Sequence, residues 1–170
     1  MNELGNVNKE DFYYGAFLSK LTKSGTIPIL IQTTEDGIFY RLTSQNSETE
    51  QIVLMKYRST PDHNGKKVKR WDFSFTKLEI QQLKQYHEKG IQHLTALICG
   101  VHSHLPQSEI AVLNFEETLD CIGLTYTSGE SRRITVREEK HAPGLKVYGT
   151  SLADKDFIRV DRDFQSQYLL

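Results

Sequence analysis

The sequence predicts a single α/β domain: a mixed β-sheet laid down in the order helix-strand-strand-strand-helix-strand, followed by a β-rich C-terminal extension. Three observations carry this expectation. Two nearly continuous apolar runs, Gln51 to Arg58 and His93 to Val101, are too apolar for half-exposed strands and read as buried, central ones. Two segments, opening near Asn8 and Thr76, repeat apolar residues at helical spacing behind good N-caps. Between the first helix and the first apolar run, Glu35-Asp36-Gly37 separates two β-rich stretches, a strong hairpin signal.

In chain order, Asn8 caps the first helix, with Glu10 and Asp11 in its positive first turn. Tyr14, Phe17, Leu18 and Leu21 form its apolar stripe, and Ser24-Gly25 ends it. Ile27 to Gln32 and Ile38 to Thr43 are strands, and polar Ser44 to Glu50 leads into the strand that carries Lys56. Ser59 to Arg70 reads as a loop. Thr76 and Glu79 make a capping box for the second helix, with Phe75 and Ile80 as its hydrophobic staple. Ile80, Leu83 and His87 are its inward stripe, and Gly90-Ile91 fits a Schellman end. After Pro106 come a short strand, Ile110 to Leu113, and a helix capped by Asn114 and Glu117 that ends at Gly123. A hairpin of 124–127 with 132–137 across Ser128-Gly129, then strands at 145–148 and 157–160, complete the reading. The expected division is an α/β core over 8–101 and an extension of the same domain over 107–170.

The 170 residues suffice for one domain with a real core. A hydrophobic content of 38% with 25% charged residues is that of an ordinary globular chain. The net charge of −1 gives no global attraction to nucleic acid or anionic membrane, so such binding requires a local patch. No apolar run approaches the ~20 residues of a membrane helix, and the polar start at Met1-Asn2-Glu3 lacks a signal-peptide pattern. A cytoplasmic protein without membrane contact is the expectation. Cys99 and Cys121 lie in apolar contexts and read as small buried hydrophobes rather than a disulfide. No Gly-rich phosphate loop, G-x-S-x-G nucleophile or Cys-x-x-Cys pair is present. The sequence sets no oligomeric state.

The basic residues gather in one place. Lys56 and Arg58, then Lys66, Lys67, Lys69 and Arg70, interleave with Tyr57 and Trp71. Cations of this kind contact phosphates, and an aromatic ring offers a base a surface on which to stack. Trp71 reads equally well as a hydrophobic lid on the second helix, with Phe73 and Phe75 at alternate positions after it.

The element order, together with Lys56 at the end of the third strand, resembles the core of the PD-(D/E)XK nuclease superfamily, the restriction-endonuclease-like arrangement. In that superfamily an acidic residue at the second strand and a glutamate two before the lysine bind a divalent metal that activates water. By that resemblance Asp36 matches the first acidic position loosely and Lys56 matches the lysine. Gln82 and Tyr86 echo a Gln-x-x-x-Tyr signature of an exonuclease branch, and Glu10 could supply a metal ligand from the first helix. The glutamate position is Leu54, which cannot ligate a hard cation. Glu50 shares the face of Lys56 but stands six strand residues away, ~20 Å. The resemblance therefore implies a non-catalytic binding module on a degenerate nuclease-like fold, with nucleic acid or another protein as partner and no cofactor. The alternative is a magnesium- or manganese-dependent nuclease using Asp36, Lys56 and Glu10.

A second alternative is a zinc site. His102-Ser103-His104 is similar to the His-Ser-His of the JAMM metalloprotease family, but that family's downstream Ser-x-x-Asp is absent at its usual spacing. Zinc catalysis needs three protein ligands and an open position.

Overall fold

A computed structural model describes residues 5–44, 47–123 and 132–164. Helix α1 (Lys9–Lys23) opens with the expected cap: the Asn8 side chain accepts from the Asp11 amide, and the Asp11 carboxylate accepts from that of Asn8. Strands β1 (Thr26–Thr33), β2 (Ile38–Ser44) and β3 (Ser47–Arg58) follow as an antiparallel meander, the first turn falling at the Asp36-Gly37 signal. A short β4 (His63–Asn64) and a long β5 (Val68–Phe75) come next, before α2 (Lys77–Glu88). Strand β6 (Gln92–Cys99) runs parallel to β3, and β7 (Glu109–Asn114) pairs antiparallel to β6. Helix α3 (Phe115–Ile122) precedes β8 (Arg132–Glu139), β9 (Leu145–Gly149) and β10 (Ile158–Val160).

The strands form two five-stranded sheets, β1-β2-β3-β6-β7 and β10-β9-β8-β5-β4. The first is mixed, with β3 in its middle and β6 beside it, as two buried apolar runs require. One face of this sheet meets α1 through Val53, Met55, Ala96 and Ile98, which pack with Tyr13, Tyr14, Phe17 and Leu21. The opposite face presents Ile52, Leu54 and Leu97 to Ile80 and Leu83 of α2, Cys121 and Ile122 of α3, and the inner face of the second sheet. That inner face contributes Trp71, Phe73, Phe75, Ile134, Val136, Leu145 and Val147. The two sheets therefore share one core.

The second sheet draws strands from both spans of the chain. Ser59 to Arg70 is not a plain loop: it contains β4 and the start of β5, which pairs along its whole length with β8 some sixty residues later. Within the span read as an extension of the same domain, 107–170, β7 completes the first sheet and β8 to β10 build on β5. Helix α2 ends in the expected Schellman geometry, with Ile91 N–H donating to Tyr86 O and Gly90 N–H to His87 O, each at 2.9 Å. His87, however, is exposed and stacks on Phe115 at 4.0 Å instead of entering the core. Both cysteines are buried and free. The expected strand at 124–127 and its Ser128-Gly129 turn lie outside the described residues. Among the described residues no helix is long and apolar enough to cross a membrane.

Candidate functional site

Period-2 alternation along β3 sets Ile52, Leu54 and Lys56 on the face toward α2, and all three are buried. An ammonium in that position needs a counter-charge, and α2 provides it. The carboxylate of Glu79 lies 2.8 Å (Oε1) and 2.9 Å (Oε2) from Lys56 Nζ, with side-chain exposures of 3% for the lysine and 0% for the glutamate. Glu79 is at the same time the closing member of the capping box. Its Oε1 accepts from the Thr76 amide at 2.9 Å, and its own amide donates to Thr76 Oγ1 at 3.2 Å. The Thr34 hydroxyl donates to Oε2 at 2.9 Å, and the ring centroid of Phe75 lies 5.0 Å from Nζ. Lys56 thus does not snorkel to water from the strand end. Its charge is neutralised inside the protein.

Gly37 makes room for this centre. A Cβ there would stand 2.6 Å from Glu79 Oε2 and 3.1 Å from Leu54 Cδ1. The glycine that the hairpin signal assigns to a turn is needed equally for close approach to the buried carboxylate.

Outside the pair lies a pocket of about 410 Å³, walled by the start of α1, the β1–β2 turn, the end of β3 and part of β5. It brings together Glu10, Asp36 and Lys56, the three residues that the nuclease resemblance selects. Its lining also holds Lys9, Arg58, Glu35 and Asp72, so four carboxylates face three cations before Glu79 is counted. Glu10, Glu35 and Asp36 are exposed on its rim. Tyr14 is buried at its wall, and its phenol is held above the ordinary tyrosine range, first by burial and then by the charges of Glu10, Tyr57, Glu79 and Asp36. It remains a hydrogen-bond donor at neutral pH. Leu54, which the resemblance aligns with a metal ligand, is fully buried. Among the described residues no three His, Cys, Asp or Glu side chains converge into a group able to hold a metal ion.

The expected basic patch divides. Arg58 pairs with Asp62 at 2.6 Å, Lys69 with Glu138 at 3.8 Å, and Arg70 with Asp72 at 3.5 Å. Lys66 and Lys67 stand exposed in the turn between β4 and β5. Trp71 presents no surface to a base: its ring is fully buried, and its Nε1–H donates to Gly100 O at 2.8 Å. Gln82 and Tyr86 are half-buried on α2, where Tyr86 meets the Phe39 ring at 5.9 Å, and neither lines the Lys56 pocket.

His102 and His104 are exposed on the turn after β6. His102 Nδ1 lies 3.4 Å from the Tyr13 hydroxyl, and the His104 amide donates to Val101 O at 3.0 Å.

Sequence reasoning missed Glu79 as the partner of Lys56. The Thr-x-x-Glu box accounts for this residue by itself, so nothing in the local pattern asks for a second role. The available signal was its position: Glu79 is four residues before Leu83, on the buried side of α2.

The chain matches no family model, no curated protein and no solved structure.

Proposed function

We propose that this protein is a non-catalytic binding module on a degenerate nuclease-like fold, with nucleic acid or another protein as its partner. The observation that carries this reading is the closed Lys56–Glu79 pair. A lysine that assists phosphate cleavage must offer its ammonium to the reacting group, whereas this one is bound on both carboxylate oxygens in a site shut from water. Leu54 supports the same conclusion, because it places a hydrocarbon where the superfamily holds its metal. The excess of carboxylates around the pocket disfavours phosphate there, so the partner surface lies elsewhere. The reading takes the protein to be cytoplasmic, in keeping with its two buried free thiols.

The test pairs a cleavage assay with a binding assay. Purified protein with magnesium or manganese is expected to leave single- and double-stranded DNA and RNA intact. Titration of labelled oligonucleotides at low salt then separates the partners: binding that weakens as salt rises identifies nucleic acid, and its absence points to a protein.

One observation favours a second reading, the divalent-metal-dependent nuclease: Glu10, Asp36 and Lys56 do line a common pocket. Metal-dependent cleavage abolished by Asp36→Ala, a change at an exposed turn, would establish that reading and overturn the first.

A further inference from the structure

The outer face of the second sheet carries basic residues in direct cross-strand register. His63 of β4 stands opposite Arg70 of β5, Arg70 opposite Arg137 of β8, Arg137 opposite Lys146 of β9, and Lys146 opposite Arg159 of β10. Adjacent strands lie ~4.8 Å apart, and like charges directly opposite one another destabilise a sheet. Carboxylates offset part of this row. Asp154 takes Lys146 at 2.6 Å and reaches Arg137 Nη1 at 3.6 Å, while Asp72 lies 3.5 Å from Arg70 Nε. The two arginine contacts are longer than the ~2.7–2.9 Å of a charge-assisted hydrogen bond. The Nε–H of Arg70 and that of Arg137 are both shielded from solvent without a hydrogen-bond partner. The side chains as a whole are nonetheless 43% and 29% exposed, so the guanidinium heads remain reachable.

Between these arginines is a cavity of about 250 Å³, lined by His63, Val68, Arg70, Arg137 and Tyr148. Its composition is the reverse of the Lys56 pocket, with which it shares no lining residue. No carboxylate lines it. Two guanidinium forks, an imidazole and a phenol supply donors, and the missing complement is a compact anion with several acceptor oxygens. The planar arginine fork matches the oxygens of a phosphate.

We propose that this cavity is a phosphate-binding site, in which Arg70 and Arg137 grip the phosphate oxygens and His63 and Tyr148 donate from the sides. The phosphate can belong to a small molecule or to a nucleic-acid backbone. In the second case the row continuing through Lys146 and Arg159 gives that backbone a path across the sheet.

The experiment is a calorimetric titration of the whole protein at low ionic strength with inorganic phosphate, a nucleoside 5′-monophosphate and a short single-stranded oligonucleotide. Chloride at matched ionic strength serves as the control. Saturable binding is expected to weaken about tenfold or more in Arg70→Gln and in Arg137→Gln. Arg137→Lys, which keeps the charge but loses the fork, is expected to weaken it as well, with melting curves verifying that each variant is folded. Lys89→Gln, at the exposed end of α2, should leave phosphate affinity unchanged. Oligonucleotide binding that phosphate displaces identifies a backbone source, and binding of phosphate and monophosphate alone identifies a small molecule. If the arginine substitutions weaken none of the three ligands, the site is wrong. Oligonucleotide binding that survives both of them would sink this site and leave the binding-module reading standing.

Discussion

Glu79 holds Lys56 while capping the helix it belongs to, so one carboxylate couples the end of β3 to the start of α2. Removing one member of such a pair strands the other as a buried charge, which typically costs about 3–5 kcal/mol. Lys56→Met and Glu79→Gln are each expected to lose stability on that scale in urea denaturation. The double variant should be more stable than the sum of the single effects implies, because it removes both charges and keeps an amide at the cap. Strict additivity would show that the two charges do not depend on each other.

Gly37→Ala is expected to be destabilising even though the position belongs to a hairpin turn. The new methyl group would overlap the Glu79 carboxylate, with Met55 O as a further close neighbour at 3.1 Å. If the damage arises at the pair, Gly37→Ala should add little in a protein already carrying Lys56→Met and Glu79→Leu, where the shorter side chain frees that space. A penalty of equal size in both backgrounds would assign it to the turn instead.

Much of the first sheet was legible because its signals are local. The Asn8 and Thr76 caps, the Asp36-Gly37 turn and the apolar runs of β3 and β6 each lie within about ten residues of sequence, and each appears in the fold. The strands β8, β9 and β10 were legible too, but their union with β5 into one sheet was hidden because the β5–β8 pairing is remote. Trp71, Phe73 and Phe75 show the alternation of a half-buried strand, yet the β8 partner that makes them one begins at Arg132. The candidate site divides in the same way. Asp36, Glu10 and Lys56 could be grouped through a resemblance, whereas the Lys56 to Glu79 contact beside them joins separate elements and leaves no trace in local spacing.

Trp71 reports on the junction between the sheets. It is the only tryptophan in the chain, so protein fluorescence reads it directly. A fully buried indole donating to Gly100 O should emit at short wavelength and shift to the red only on unfolding. Oligonucleotides should leave its emission unchanged even where they bind. Trp71→Ala is expected to cost about 3–5 kcal/mol, the range for emptying a large aromatic site. An emission maximum typical of an exposed indole in the native protein would contradict this packing.

Stability should peak in a window near neutral pH, and its two limbs have different causes. Burial lowers the His93 imidazole below its ordinary value, with the nearby His87 acting in the same direction and the Ile91 carbonyl and Glu116 opposing. The unfolded chain therefore takes up a proton near pH ~6.5 that the native protein refuses, and stability is lost as pH falls below that point and on through the native value. Glu109 opposes this at lower pH, since burial raises its carboxyl and the native state keeps that proton longer. On the alkaline side, burial pushes Cys121 up to about 12 and holds Cys99 well above its usual range. Unfolded thiols ionise near pH ~8.5, so the unfolded chain binds fewer protons there and stability falls as pH rises. Tyr14, also raised, extends that loss above pH ~10. Urea denaturation at about pH 5.5, 7.5 and 9.5 should show the maximum at the middle value. Replacing both cysteines by alanine should flatten the limb between about pH 8.5 and 10 while leaving the acid limb in place. An alkaline limb unchanged by that double substitution would mean that the buried thiols do not set it.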